Sequence, residues 1–490
     1  MKIFDKTVFD TKTYLKTLVL LVLLVPLQMA SKGSAYAFLV PFALFAMVAR
    51  RVEKSMFWVM SSMLLIIGNQ FFFPKNIVFY VAQRVLFVTF GFYMIVRITG
   101  RRQSRYVSPF LGMLVYVAVM ACTAGSGWNP MISYLKLFLF AIVYIACYGV
   151  AVIADQSARF SEQRVRGILL AVISFFTFGS LALIPFPAIG QLSGAEFEAA
   201  QQSGRAVLSL FKGMTMHSQM LGPVMASTFA FLFADLVTNV RKMNGLYVAL
   251  LLSCVYLVYL SSSRTGMAAL IAAVMMGGFC VMRMKGIGAR WRGKVKNFFF
   301  CIVALACVAV VASPRVRNSI ARFALKYGDE NVTTADFTVE GAMSSRQGTI
   351  DLQIETFKMS PFVGNGFQVD ITHSLLKHPS WKELISAPIE KGVWVTAILE
   401  EGGILGFSVF VGFVLIAGLK LLNRGVYTGL SVFCVMLVSN MAEFTMFSMS
   451  AMGGFTWAMV FVGVAMDISR IKRDQARRLP PGVWYRMPGA

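Results

Sequence analysis

The sequence predicts an all-α, polytopic membrane protein of about 12–14 transmembrane helices with one large loop domain on the outer side. Three observations predict it. The 490 residues are 57% hydrophobic and only 14% charged, with a mean hydropathy of +0.70, whereas soluble domains carry about 25% charged residues. Apolar runs able to cross about 30 Å of hydrocarbon, roughly 17–25 residues each, recur along the chain. Basic clusters alternate with those runs in a fixed phase.

The candidate runs are 14–30, 35–49, 56–73, 78–98, 107–123, 132–154, 167–190, 220–238, 244–262, 265–282, 297–313, 393–419, 426–441 and 448–468, several of them short. The basic clusters are Arg50-Arg51-Lys54, Arg97-Arg101-Arg102-Arg105, Arg159-Arg164-Arg166, Arg241-Lys242, Arg283 through Lys296, Lys420-Arg424 and Arg470 through Arg478. Each follows an even-numbered run, so one orientation with both termini in the cytoplasm places every cluster inside. "MKGIGARWRGKVK" at 284–296 is therefore a topology determinant. The first run is a retained span, because "ASKGSAYA" at 30–37 leads straight into another apolar run.

The net charge of +24 is spread over many short loops, which excludes a nucleic-acid surface and suits anionic headgroups. The seven cysteines all lie in apolar segments, without metal-ligand or disulfide spacing, and read as small core residues. The 43 phenylalanines read as core and lipid-facing packing. The organisation is 1–190, N-terminal transmembrane helices; 191–313, central helices; 314–392, a large outer loop; 393–468, C-terminal helices; and 469–490, a basic cytoplasmic tail. Within the large loop, 345–358 has helical spacing of Ile350, Ile354 and Phe357, followed by the turn "SPFVGNGF". All three histidines, His217, His373 and His378, fall in the two longer outer loops. Trp381 and Trp394 read as interfacial anchors.

"LVYLSSSRTGMAAL" at 257–270 puts Arg264 at an outer helix junction, against the positive-inside trend. Ser261, Ser262, Ser263 and Thr265 surround it with hydroxyls. A guanidinium is a planar fork of donors matched to phosphate or carboxylate oxygens. Glu400 and Glu401 interrupt an apolar run, where ionisable groups are costly and commonly functional. The competing reading makes them interfacial carboxylates paired with Arg264 or Lys391.

"SSSRTG", with "SPFVGNGF" and "ILEEGGILGF" downstream, resembles the O-antigen ligase/O-antigen polymerase superfamily of bacterial envelope glycosyltransferases. The residues carrying the resemblance are "KGMTMHSQMLG" at 212–222, Ser263-Arg264-Thr265-Gly266, Arg346, Pro361 with Gly364 and Gly366, and Glu401-Gly403-Ile404-Leu405-Gly406, covering roughly 205–420. The chain departs from the pattern twice. Ligases of that family carry a histidine about nine or ten residues before the E-x-G glutamate, where this chain has Glu390 and Lys391. Gln219 stands where asparagine is usual, and Lys212 or Arg205 where an arginine is expected. The absent histidine favours the polymerase branch over the ligase branch.

The resemblance implies transfer of glycan from an undecaprenyl-pyrophosphate-linked oligosaccharide to a sugar hydroxyl at the periplasmic face of the inner membrane. Arg264, with Arg346, Lys212 or Arg205, would bind the pyrophosphate and stabilise charge developing on it; Ser263, Thr265, His217 and Gln219 would support them. Glu390, Glu401 and His373 are the candidates for a general base, a role worth about 10²–10⁴-fold. No D-x-D or acidic cluster marks the outer loops, so neither metal nor cofactor is expected. A chain-length regulator and a flippase are the expected protein partners. A ligase would pass the glycan to lipid A core. The alternatives from other classes are a transporter or flippase for a lipid-linked solute, which would show repeated halves with broken helices, and a non-catalytic assembly subunit.

Overall fold

Polar residues set where the apolar helices begin. Asp10, Asn76, Ser161, His217 and Asn244 each precede a helix and accept a hydrogen bond from a backbone N–H of its first turn, satisfying donors that would otherwise be orphaned. The computed structural model describes residues 8–49, 52, 55–56, 60–61, 68–100, 105–156, 160–191, 211–239, 244–283, 339–369, 391, 393–441, 444–448 and 452–476. About 80% of these are helical, and no strand occurs among them. The principal helices are α1 (Thr11–Ala30), α2 (Ala35–Val48), α3 (Ile77–Ile98), α4 (Leu111–Ala124), α5 (Pro130–Gln156), α6 (Glu162–Ala182), α7 (Ser218–Thr238), α8 (Gly245–Ser261), α9 (Arg264–Arg283), α10 (Val339–Met359), α11 (Trp394–Asn423), α12 (Tyr427–Ser439) and α13 (Met452–Ala476). Eight of these described helices, α1, α3, α5, α6, α7, α9, α11 and α13, are long and apolar enough to cross a membrane; α4, α8 and α12 are apolar but shorter. The chain is an all-α, multi-pass membrane protein.

The core is aromatic. Tyr144 of α5 meets Trp457 of α13 at 5.0 Å, Phe110 meets Phe461 at 4.8 Å, and Phe140 meets Phe447 at 5.0 Å between ring centres. The buried polar tips are satisfied where these rings carry them: the Tyr144 hydroxyl donates to the Phe110 carbonyl at 2.7 Å and the Trp457 indole to the Met446 carbonyl at 3.0 Å.

The helix ends segregate into two layers. One, the basic end, is tied by ions. Arg166 donates to both oxygens of Asp235 (3.0 and 3.1 Å), to Glu162 (2.7 Å) and to the Val8 carbonyl (2.8 Å), while Arg473 of α13 bonds Glu162 at 2.7 Å. Asp467 of α13 accepts from the Thr428 backbone N–H at 2.6 Å, a carboxylate at the positive end of α12. Lys472 pairs with Asp155 at 3.1 Å. These pairs correct one boundary: α6 begins at Glu162 rather than 167, because its buried charges are compensated and need not lie outside the helix. It also stops at Ala182, before a short turn at Pro187–Gly190. The apolar run 56–73 also ends early. Gly68 and Asn69 have left the helix to pair with Thr215 and Met214. The run 297–313 lies outside the described residues, as do 192–210, 284–338 and 370–390.

At the opposite end, α10 runs from Val339 to Met359, longer than its sequence spacing indicated, and packs on α11. Its buried face is not the expected apolar one. Gln353 and Thr356 are buried while Ile354 is exposed, because the surface that α10 covers is polar.

Candidate functional site

Two clusters of polar side chains lie at the end opposite the basic layer. The first surrounds Arg264. Three successive serines divide their labour there: Ser261 closes α8, with its hydroxyl on the Val258 carbonyl at 2.8 Å; Ser262 turns the chain in the left-handed region, at φ 47°; and the Ser263 hydroxyl oxygen accepts from the Gly266 N–H at 3.0 Å. Ser263 and Thr265 are buried, so the hydroxyl of Ser263 caps α9 and is not directed at a ligand. Arg264 follows as the first residue of α9 and is half-buried. Gly266 of α9 and Gly222 of α7 let the two helices touch: a Cβ on Gly266 would lie 2.7 Å from the Gly222 Cα. The start of α7 is consequently held close to Arg264. His217 caps that start, its Nδ1 accepting from the Gln219 N–H at 3.1 Å.

The preceding segment, 211–217, is held in place by Thr215, whose hydroxyl reaches the carbonyls of Lys212 (2.7 Å) and His217 (2.9 Å). Lys212 is half-buried. Beside this segment lies Lys75, which sequence reasoning passed over: its Nζ is 3.1 Å from the Gly68 carbonyl and 2.7 Å from the Met216 sulfur. Burial lowers its ammonium pKa to about 7. The signal was available. Lys75 in "FFFPKN" is, like Arg264, a cation at the end where the positive-inside trend places few.

The second cluster is built on a break in α11. Gly403 has φ 59° and ψ −165°, a conformation open essentially to glycine alone. The break frees the backbone on both sides, and the turn 360–366 satisfies it. Ile404 and Leu405 donate to the carbonyls of Pro361 (2.8 Å) and Phe362 (3.1 Å), and the carbonyls of Glu400 and Glu401 accept from Asn365 (2.9 Å) and Gly366 (3.1 Å). Asn365 also holds Trp128, accepting its indole N–H at 3.0 Å.

Lys391 closes this cluster, with its Nζ 3.2 Å from Glu400 and 3.1 Å from Glu401. All three side chains are buried. Burial disfavours the Lys391 ammonium, but Glu400 and Glu401 outweigh that and hold its pKa above the ordinary value. Gln353 of α10 donates to the Lys391 carbonyl and accepts from the Thr396 hydroxyl at 2.5 Å. Lys136 donates to the Gln368 carbonyl at 2.9 Å.

The candidates from sequence thus divide. Arg264, Ser263, Thr265, His217, Gln219 and Lys212 belong to one neighbourhood and Glu401 to the other. Of the two pairings open to the Glu400–Glu401 pair, the structure describes the one with Lys391. Glu390, His373 and Arg205 lie outside the described residues, as does Trp381; Arg346 lies in α10 with its side chain outside them. Trp394 is packed, stacking on Phe407 at 6.4 Å and meeting Phe410 at 5.6 Å. Lys75, Lys136, Gln353 and Gln368 were not singled out in the sequence. Compared with known protein families and with curated proteins, the chain matches none.

Proposed function

We propose that the chain is a membrane glycosyltransferase that polymerises undecaprenyl-pyrophosphate-linked oligosaccharide repeat units at the periplasmic face of the bacterial inner membrane. The single observation that carries this reading is the setting of Arg264. A guanidinium sits in the first turn of α9, against the start of α7, at the end opposite the basic layer. Two helix N-termini and one permanent cation make this neighbourhood positive. Lys212 lies in the segment that leads into α7.

In the proposed reaction, an acceptor sugar hydroxyl attacks C1 of the donor sugar and the bond from C1 to the pyrophosphate oxygen breaks. The pyrophosphate leaves with one more negative charge, and the hydroxyl proton passes to a base. Arg264 holds the leaving group, where a fixed cation contributes most. Of Glu390 and Lys391, which stand where the ligases of the resembled family carry histidine, the structure describes Lys391. Held protonated by two carboxylates, it does not accept a proton. Glu401 is fully buried against it, which makes Glu401 a positioning residue for the turn and leaves Glu390 or His373 to take the proton. The absence of a histidine at that place in the sequence is what favours polymerase over ligase.

Loss of the gene provides the test. A polymerase defect leaves single repeat units on carrier or lipid A core, with long polymer absent. Full-length polymer stranded on its carrier would instead identify a ligase.

A further inference from the structure

We infer that the turn at Met359–Phe362 is seated in the membrane interface, at the level where α11 enters the hydrocarbon. Phe362 is 72% exposed and Met359 63% exposed, large apolar side chains on a turn that joins polar elements. The turn is fastened to the span, since the Pro361 and Phe362 carbonyls accept from Ile404 and Leu405. Those two residues are themselves 48% and 46% exposed, so the four side chains lie in one neighbourhood of the surface.

Two independent reckonings put the hydrocarbon boundary at that level. The large exposed apolar residues of α11 are Ile404, Leu405, Leu415, Ile416 and Leu419, and none of Trp394 through Gly403 is exposed. Hydrocarbon of about 30 Å takes roughly 20 residues at about 1.5 Å each; counted back from Asn423, beside the terminal basic residue Arg424, that length reaches Gly403.

The pattern of α10 agrees. Gln353 and Thr356 face the protein, Leu352 and Met359 form an exposed apolar stripe seven residues apart, Asp351, Glu355 and Lys358 form an exposed charged one, and a single exposed apolar side chain, Ile354, lies beyond the charged stripe. A helix with one flank on protein, one apolar flank and one charged flank fits an interfacial position. The occupant of the apolar flank is lipid, because the patch is continuous with the lipid-facing stripe of α11. The Glu400–Glu401–Lys391 cluster is thereby placed at headgroup level, whatever reaction it serves.

A fluorophore on Phe362→Cys, in full-length protein freed of its native cysteines and reconstituted in phosphatidylcholine vesicles, tests this. Lipid brominated near the top of its acyl chains should quench it strongly, and aqueous iodide should quench it several-fold less than the same fluorophore on Glu355→Cys. Equal iodide quenching at the two positions overturns the inference. So does protection from both quenchers, which would mean that a protein surface covers the patch. Met359→Cys carries the same expectation should the Phe362 variant fail to fold.

Discussion

Lys391 is the residue whose removal the structure most penalises at the candidate site. Its ammonium is the described counter-ion of two buried carboxylates, and deleting one member of a buried ionic cluster typically costs roughly 3–5 kcal/mol. Lys391→Met should therefore lower thermal stability in detergent markedly, and adding Glu401→Gln should recover part of the loss. An unchanged melting curve for the single variant would contradict the described pairing. Because its folded pKa is raised, the stabilisation from Lys391 is fully present below the ordinary lysine pKa and is lost only as pH rises through the raised value. Lys75 behaves oppositely. Its pKa falls to about 7, so above that pH the unfolded chain binds more protons than the folded one and stability rises with pH. Thermal stability should climb from pH 7 to pH 9, and Lys75→Met should flatten that slope; an identical slope in the variant would remove Lys75 as its source. Arg264 was legible in the sequence because it violates the positive-inside pattern. Lys391 was legible as a departure from a motif and as one of the two partners open to Glu400 and Glu401; which of the two they take was not, since Lys391 is nine and ten residues away along the chain and meets them through a bend that no periodicity encodes.

At the scale of elements, the break at Gly403 and the turn beneath it form one unit. A Cβ on Gly403 would lie 2.4 Å from the Phe362 carbonyl carbon, at a φ of 59°, so Gly403→Ala combines backbone strain of order 1–3 kcal/mol with a clash against backbone. It should destabilise the protein and displace the turn. Gly412→Ala in the same helix, where a Cβ meets nothing within 4 Å, should be neutral or slightly stabilising by helix propensity. Equal melting temperatures for the two variants would contradict the break. Most of the described apolar helices were legible to within about four residues, since their lengths follow from hydropathy, but α6 stops eight residues before its run does and α13 continues eight residues past the end of its run. Two kinds of feature were not. The face of α10 was misread because apolar periodicity assumes an apolar partner, and Gln353 instead meets Lys391 and Thr396. The start of α6 was misread because Arg166 and Glu162 are compensated by Asp235 and Arg473, residues distant in sequence.

On the scale of the whole molecule, the two ends differ in kind. The basic end is cross-linked by Arg166, Glu162, Asp235, Arg473 and Asp467 across α6, α7, α12 and α13, whereas the opposite end carries the turn, the broken helix and Arg264. Labelling of single cysteines with a membrane-impermeant maleimide should modify the 314–392 region from outside and 283–296 only after permeabilisation; modification of both from one side would refute the orientation. The most direct test of the central claim is transfer by purified protein. Given undecaprenyl-pyrophosphate-linked repeat units, without nucleotide, ion gradient or added metal, the wild-type chain should lengthen the glycan. Arg264→Ala should insert and fold but lose transfer, and Arg264→Lys should restore little, because a point charge does not reproduce a bidentate fork. Full transfer by the Arg264→Ala variant would contradict the account.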